Sequence, residues 1–343
     1  MTAPSSPTPG RSSPDGTRLR AVVTGTGAAL PSHVLSNQDL EKMVDTSDEW
    51  ITTRTGIKER RIAEDADYLS IYATQASQRA LEMSGVAAAE LDMIICATVT
   101  PDQPIPATAC TIQHNLGAKR AAAFDLAAGC SGFIYGLAVA DRFLCGGGYS
   151  HVLVIGAELL SKYVDWKDRT TCIIFADGAG AVILSAREGT SGILATSLRT
   201  DGSMADYIHV PAGGTKMPAS ERTVREGLHF IRMKGNETFK IAVRSIEEVS
   251  REVLTASGLT AGDIDHYIPH QANRRIIEAV GTRLGLRPDQ VYINIDRVGN
   301  TSSASIPIAL DEAARAGKIR RGDTVLFAAF GAGLTWGAAL LRW

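Results

Sequence analysis

Short apolar runs punctuate the chain, separated by longer stretches whose apolar residues recur at helical spacing. Leu19–Gly25 reads as the first strand of the ordered chain. The segment Ser84–Ile95 resembles Ser257–Ile268, an offset of 173 residues. Each follows an amphipathic helical stretch and ends in a short apolar strand. Val152–Gly156 matches Val325–Ala329 at the same offset of 173. Phe124-Asp125 to Gly129-Cys130 resembles Ile295-Asp296 to Gly299-Asn300, with Cys130 and Asn300 offset by 170, a difference that loop variation explains. Each half therefore reads as an α/β unit with a mixed sheet, and the two together as a duplicated, pseudo-symmetric pair rather than a solenoid. On this alignment Cys130 and Asn300 occupy corresponding turns and face each other across a pseudo-twofold axis.

The expected organisation is a tail over residues 1–18, a first half over 19–190 and a second half over 191–343. The tail is rich in Ser, Pro, Thr and Gly and lacks the apolar stretch of a signal peptide. With 343 residues, 45% of them hydrophobic and 21% charged, the chain has ample core. A formal net charge of −2 gives no general attraction to nucleic acid or anionic membranes. No apolar run approaches the roughly 20 residues of a membrane span. Cysteines 96, 110, 130, 145 and 172 show no CxxC spacing, which speaks against a structural metal and a disulfide scaffold. A reducing cytoplasm fits them best.

Candidate chemistry begins at Cys130. An apolar run ends in Ala127-Ala128-Gly129, the cysteine follows, and a helix-like stretch runs to about Leu144. A thiol at the positive end of a helix is expected to favour the thiolate, a nucleophile for acyl groups; a buried structural cysteine is the bland alternative. His270 follows a strand of the second half, where α/β sheets place ligand sites. Asn273 lies close by in sequence. Gly299–Ser305 is a polar turn opening a helix, compatible both with capping and with catalysis. Phe330–Gly337 follows the last apolar run, either as a tight hairpin turn or as a source of oxyanion-binding amides.

These motifs give the chain a resemblance to the β-ketoacyl-acyl-carrier-protein synthase III family, from about Leu19 to Trp343. It is carried by Asp48–Ile51 with Thr53–Ile57, Ala128–Gly132, Phe175–Gly180, Pro269–Asn273 and Gly299–Ser302. The resemblance implies a thiolase-like fold of two duplicated α/β halves in five layers, αβαβα, with mixed sheets, and a homodimer. It implies Cys130 as nucleophile with His270 and Asn300 completing a triad, and the amides of Cys130 and Ala332 as oxyanion donors. Trp50 and Arg169 are expected to enclose the adenine of coenzyme A. Thr46 and Arg54 would bind its nucleotide end, and Asn236 and Asn273 are further expected contacts, Asn273 to the pantetheine arm. The implied reaction moves an acyl group from acyl-coenzyme A to Cys130 and condenses it with decarboxylating malonyl-acyl carrier protein. Coenzyme A is then a substrate carrier, and no cofactor is expected. Lys240, Arg275 and Arg283 are expected to meet the acidic carrier.

Two positions depart from the family pattern. Ala332 stands where many members have glycine. Ile105 stands where phenylalanine often closes the acyl tunnel across the dimer, so longer or branched primers are expected to be tolerated. A thiolase would need a second cysteine in its second half, and all five here lie at or before Cys172. A relative in secondary metabolism, handling an unusual acyl group with the same triad, is the nearest alternative. A cysteine hydrolase would leave Trp50, Arg54 and Arg169 unexplained, and a dead scaffold would not need all three triad residues.

Overall fold

The computed structural model describes residues 19–343; the expected tail at 1–18 lies outside them. Nine long strands build two sheets. They are β1 (Leu19–Ala29), β2 (Met93–Ala97), β3 (Ala122–Leu126), β4 (His151–Leu159), β5 (Asp177–Glu188), β6 (Gly192–Thr200), β7 (His266–Pro269), β8 (Thr324–Gly331) and β9 (Thr335–Arg342). The first sheet runs β1-β5-β4-β2-β3 and the second β6-β9-β8-β7. The pairing senses repeat. Two antiparallel contacts, β1 to β5 and β5 to β4, lead to the parallel contact of β4 with β2; β6 to β9 and β9 to β8 lead likewise to parallel β8 with β7. Parallel β3 completes the first sheet, and an isolated parallel bridge between Tyr267 and Val291 marks its counterpart.

The principal helices are α1 (Asp48–Thr55), α2 (Leu69–Ser84), α3 (Thr108–Leu116), α4 (Gly132–Gly146), α5 (Gly235–Ala256), α6 (Arg274–Leu284) and α7 (Ser305–Arg315). Helices α4 and α7 touch both sheets and lie between them; α2 and α3 cover the first sheet and α5 the second, with α6 against α5. The result is five layers, αβαβα. One core lies between the sheets, where Phe133, Ile134 and Leu137 of α4 and Ile306, Ala309 and Leu310 of α7 meet Ile95, Val154, Phe327 and Ala339. Strands buried on both faces carry the near-continuous apolar runs visible in the sequence.

The repeat extends to the register. Met93 pairs with Val152 in one sheet and His266 with Val325 in the other, both members offset by 173. One part of the sequence alignment needs correction. The short 3₁₀ turns Gly129–Ser131 and Ser302–Ala304 also correspond at an offset of 173, as do the starts of α4 at Gly132 and α7 at Ser305. The counterpart of Cys130 is therefore Ser303, and Asn300 lies three residues before it. Ile295–Val298, aligned with a strand by its residues, is a single helical turn. An aspartate and a glycine at similar spacing misled the alignment.

Close packing joins the halves. A Cβ on Gly156, in β4, would stand 2.2 Å from the Ser303 carbonyl oxygen, a backbone atom with little freedom to move. Gly156→Ala is expected to destabilise the protein by about 1–3 kcal/mol through overpacking. A denaturant midpoint equal to that of the wild type would contradict this close fit.

Candidate active site

Cys130, His270 and Asn300 reach the middle of the molecule from different elements. Cys130 lies in the 3₁₀ turn Gly129–Ser131, between β3 and α4. His270 follows β7 directly, held by its amide N–H donating to the Ala328 carbonyl at 2.8 Å. Asn300 precedes the turn that opens α7, with its backbone bonded to Ile174 and Ala176 of the first half. His270 and Asn300 are buried, and Cys130 keeps some accessible surface.

The segment Asn300–Ser305 joins all three. Asn300 Oδ1 accepts from the Ser302 N–H at 2.9 Å, so the carboxamide NH₂ is left as the outward donor. The 3₁₀ turn Ser302–Ala304 packs against the turn Gly129–Ser131 that carries Cys130. Ser305 Oγ lies 2.6 Å from His270 Nδ1 and accepts from the Gln271 N–H at 3.3 Å. A Ser305 hydroxyl that donates to Nδ1 leaves the hydrogen of a neutral His270 on Nε2. These serines do not cap: neither the 3₁₀ turn nor α7 has a side-chain cap bond at its N-terminus. Ser302 has φ 49°, the one non-glycine positive φ among the described residues. Such strain persists where surrounding contacts enforce it.

Electrostatics differ from the sequence expectation for Cys130. Burial pushes its thiol up to about 11, only partly opposed by Ser302 and by the residue's own amide, and the Glu158 carboxylate adds to the rise. Desolvation thus opposes the thiolate that the helix N-terminus favours. Burial also lowers His270 to about 3, so its imidazole is neutral at ordinary pH.

The hairpin between β8 and β9 closes against the nucleophile turn. Gly331 pairs with Thr335 across it, so the stretch is a tight turn as well as a wall of the site. Thr335 Oγ1 donates to the Ala128 carbonyl at 2.7 Å and lies 3.0 Å from that of Ala332. A Cβ on Gly331 would stand 2.5 Å from the Cys130 nitrogen, and one on Gly129 2.8 Å from the Ala332 nitrogen. Both glycines are required by this approach, which gathers the Cys130 and Ala332 amides at one place. An alanine at 332 does not prevent it.

A second cluster forms around Trp50 in α1. The guanidinium of Arg54 lies 4.6 Å from the Trp50 ring centre and that of Arg169 lies 5.3 Å away, a cation–π arrangement. Arg169 is held by the Asp45 carbonyl at 2.6 Å. The Thr46 hydroxyl nearby is buried without a partner. Asn273 caps α6 through the Arg275 N–H at 2.9 Å and donates to the Arg54 carbonyl at 2.9 Å, tying the Trp50 cluster to the His270 segment. The Asn236 side chain lies outside the described residues.

Family profiles described as 3-oxoacyl-[acyl-carrier-protein (ACP)] synthase III and its C-terminal part match residues 124–202 and 254–343. The beta-ketoacyl-[acyl-carrier-protein] synthase III of Caldanaerobacter subterraneus subsp. tengcongensis is 57% identical over 326 residues, covering 95% of this chain and 98% of the relative. The chain belongs to this synthase III family. The crystal structure of the 3-oxoacyl-[acyl-carrier-protein] synthase III of Aquifex aeolicus is 52% identical with a TM-score of 0.87, covering 96% of this chain and 100% of that one. A priming beta-ketosynthase of the R1128 polyketide pathway is 36% identical with a TM-score of 0.88, covering 95% and 97%. The thiolase-like fold implied by the synthase III resemblance is thus the observed one.

Of the residues expected to meet a carrier, Lys240 and Arg275 are exposed and flank Phe239, with the Arg275 guanidinium 5.3 Å from its ring centre. Arg283 lies eight residues farther along α6, about 12 Å away along the axis. Its guanidinium pairs with Glu247 at 2.9 Å, which neutralises much of its charge. Ile105 is 86% exposed in the loop before α3, so no tunnel closes around it within one chain. Among the described residues, no helix is long and apolar enough to cross a membrane, and no cluster of His, Cys, Asp or Glu is arranged for a metal.

Glu158, Ser302 and Ser305 are site residues that the sequence reading missed. Glu158 has a recognisable signal: it is an acidic residue inside the apolar run Val152–Leu160. The serines were visible only as a polar turn, and hydroxyl partners far apart in sequence cannot be read from spacing.

Proposed function

We propose that the chain condenses an acyl-coenzyme A primer with malonyl-acyl carrier protein, releasing carbon dioxide and forming 3-oxoacyl-acyl carrier protein, as the initiating step of fatty acid synthesis. The observation that carries this reading is the Asn300–Ser305 segment, which links one nucleophile to two neutral donors. In the first half-reaction Cys130 Sγ attacks the thioester carbonyl while the Cys130 and Ala332 amides receive the oxyanion. Coenzyme A leaves, and the cysteine holds the acyl group. In the second, His270 Nε2–H and the Asn300 NH₂ donate to the malonyl thioester oxygen. Carbon dioxide departs and the enolate so stabilised attacks the acyl-cysteine. Loss of carbon dioxide supplies the carbanion without removal of a proton, which suits two groups that donate and do not accept.

The paired guanidiniums at Trp50 and the unpartnered Thr46 hydroxyl support a nucleotide at that end, with coenzyme A as substrate and no resident cofactor. Lys240 and Arg275 form the patch for an acidic carrier. A cytoplasmic homodimer, in which the exposed Ile105 enters the partner's acyl passage, completes the reading and allows longer or branched primers. Trp50→Ala is expected to raise KM for acyl-coenzyme A about tenfold with little change in kcat, since base–aromatic stacking contributes about 1–3 kcal/mol; an unaltered KM would remove the nucleotide from this site. The overall test is incubation with a series of acyl-coenzyme A primers and malonyl-acyl carrier protein. Acyl adducts on Cys130 followed by 3-oxoacyl products are expected, and acylation without condensation would overturn the reading.

A further inference from the structure

The Asn300 carboxamide is aimed by a backbone that needs outside support. Its Oδ1 accepts from the Ser302 N–H at 2.9 Å. Without that tie the carboxamide is free to turn over and present its oxygen, not its NH₂, to the enolate. Ser302 in turn has φ 49°, a left-handed backbone that a residue with a Cβ adopts only where its surroundings enforce it. An enforcing contact reaches it from the first half of the chain: the Ser302 hydroxyl donates to Glu158 Oε1 at 3.1 Å. We propose that Glu158 is a positioning residue for the Asn300 donor, holding the Ser302 backbone through the Ser302 hydroxyl. The inference rests on the reading of Asn300 as a donor to the malonyl thioester oxygen.

Glu158 is built as a fixed anchor. It lies near the end of β4, 0% exposed, and among the described residues it makes no ion pair. Its Oε2 accepts from Thr98 Oγ1 at 3.2 Å, the Val99 N–H at 3.1 Å and Thr100 Oγ1 at 2.7 Å. These donors stand on the segment that leaves β2. Thr100 Oγ1 also accepts from the Leu159 N–H at 2.9 Å, which closes that segment onto β4 itself. With Oε2 tied in this way the carboxyl group keeps one orientation, and Oε1 is turned to the second half. There it meets Ser302 and also Ser303, whose Oγ lies 3.1 Å from Oε1 and 2.8 Å from the Ala97 carbonyl oxygen.

The backbone of the same strand is pressed against the same turn. Gly156 and Glu158 share a face of β4, and a Cβ on Gly156 would stand 2.2 Å from the Ser303 carbonyl oxygen. The glycine lets the turn approach, and the glutamate reaches it. A carboxyl group buried without a cation costs stability, and its hydrogen bonds offset only part of that cost. Apolar residues fill most of the run Val152–Leu160, and one more would be the simpler choice at 158. The polar residue is accounted for by what it holds. Acylation of Cys130 draws on backbone amides and not on the Asn300 carboxamide, so the tie serves the second half-reaction.

Carbon dioxide release from malonyl-acyl carrier protein and acylation of Cys130 by acetyl-coenzyme A, both measured on the full chain, test the positioning role. Glu158→Met fills the space and removes the anchor. It is expected to lower carbon dioxide release by about 10²-fold, the scale of a misplaced group, and acylation far less. Glu158→Gln is expected to regain most of the rate, because its oxygen can face the Thr98–Thr100 donors while its NH₂ donates to Ser302 Oγ. With Asn300→Ala already in place the donor is gone, and adding Glu158→Met is expected to change carbon dioxide release by less than about twofold, the mark of two residues acting on one interaction. A residue that only supports the fold gives losses that multiply in the double variant, or that fall equally on both half-reactions. Either result overturns the positioning role, as does an unaltered rate in Glu158→Met. Should Glu158→Met fail to fold, Ser302→Ala, which removes only the hydroxyl, decides by the same comparisons. If Asn300→Ala alone leaves carbon dioxide release unaltered, the donor reading falls and the positioning role with it; a slowed Asn300→Ala beside multiplying losses removes the positioning role alone.

Discussion

Cys130→Ala is expected to abolish acyl-enzyme formation and to lower condensation by at least about 10⁴-fold, the scale of losing a catalytic nucleophile. The substitution is a clean one here. Alanine keeps the Cβ that packs against Gly331, and only the sulfur is removed. Stability should therefore hold, and the loss should be chemical. The donors His270 and Asn300 stay in place, so slow release of carbon dioxide from malonyl-acyl carrier protein should persist while carbon–carbon bond formation stops. Intact-protein mass spectrometry after exposure to acetyl-coenzyme A checks the first half, and product analysis the second. An acyl adduct on the alanine variant, or condensation at more than a trace, would move the nucleophile elsewhere.

The sequence foretold this cluster unevenly, for physical reasons. Cys130 was legible because a thiol after a small-residue turn is rare and local. His270 followed from its place at the end of a strand. The duplication was legible in Val152–Gly156 and Val325–Ala329 because both lie in strands buried on two faces, where apolar runs are dictated. The same comparison misplaced Asn300 by three residues, since polar turns offer no periodicity to fix an alignment. The helix end behind Cys130 can be read from sequence, whereas the burial that opposes a thiolate there cannot. Glu158 contributes through contacts with residues 97 to 100 and 302 to 303, which only the packed halves bring together.

Asn300→Ala and His270→Ala should each lower decarboxylation and condensation by about 10²–10³-fold, the usual effect of removing one donor from a developing oxyanion. Acylation of Cys130 should be affected far less, because its oxyanion donors are backbone amides. Asn300→Asp gives a sharper version. Its Oδ1 can still accept from the Ser302 N–H, while the outward NH₂ becomes a carboxylate oxygen facing the enolate. A loss at least as large as that of Asn300→Ala is expected, measured as carbon dioxide release. The pH profile separates donation from proton removal. With His270 lowered from 6.5 to about 3, the imidazole stays neutral as the pH falls from 8 to 5, so decarboxylation by the wild type should stay flat over that range. Stability should respond differently. The unfolded histidine takes up a proton below about 6.5 and the folded one does not until about 3, so the contribution of neutral His270 is complete above 6.5 and declines as the pH falls. A step in the decarboxylation rate centred near 6.5 would mean that His270 titrates normally and that its burial has been misread.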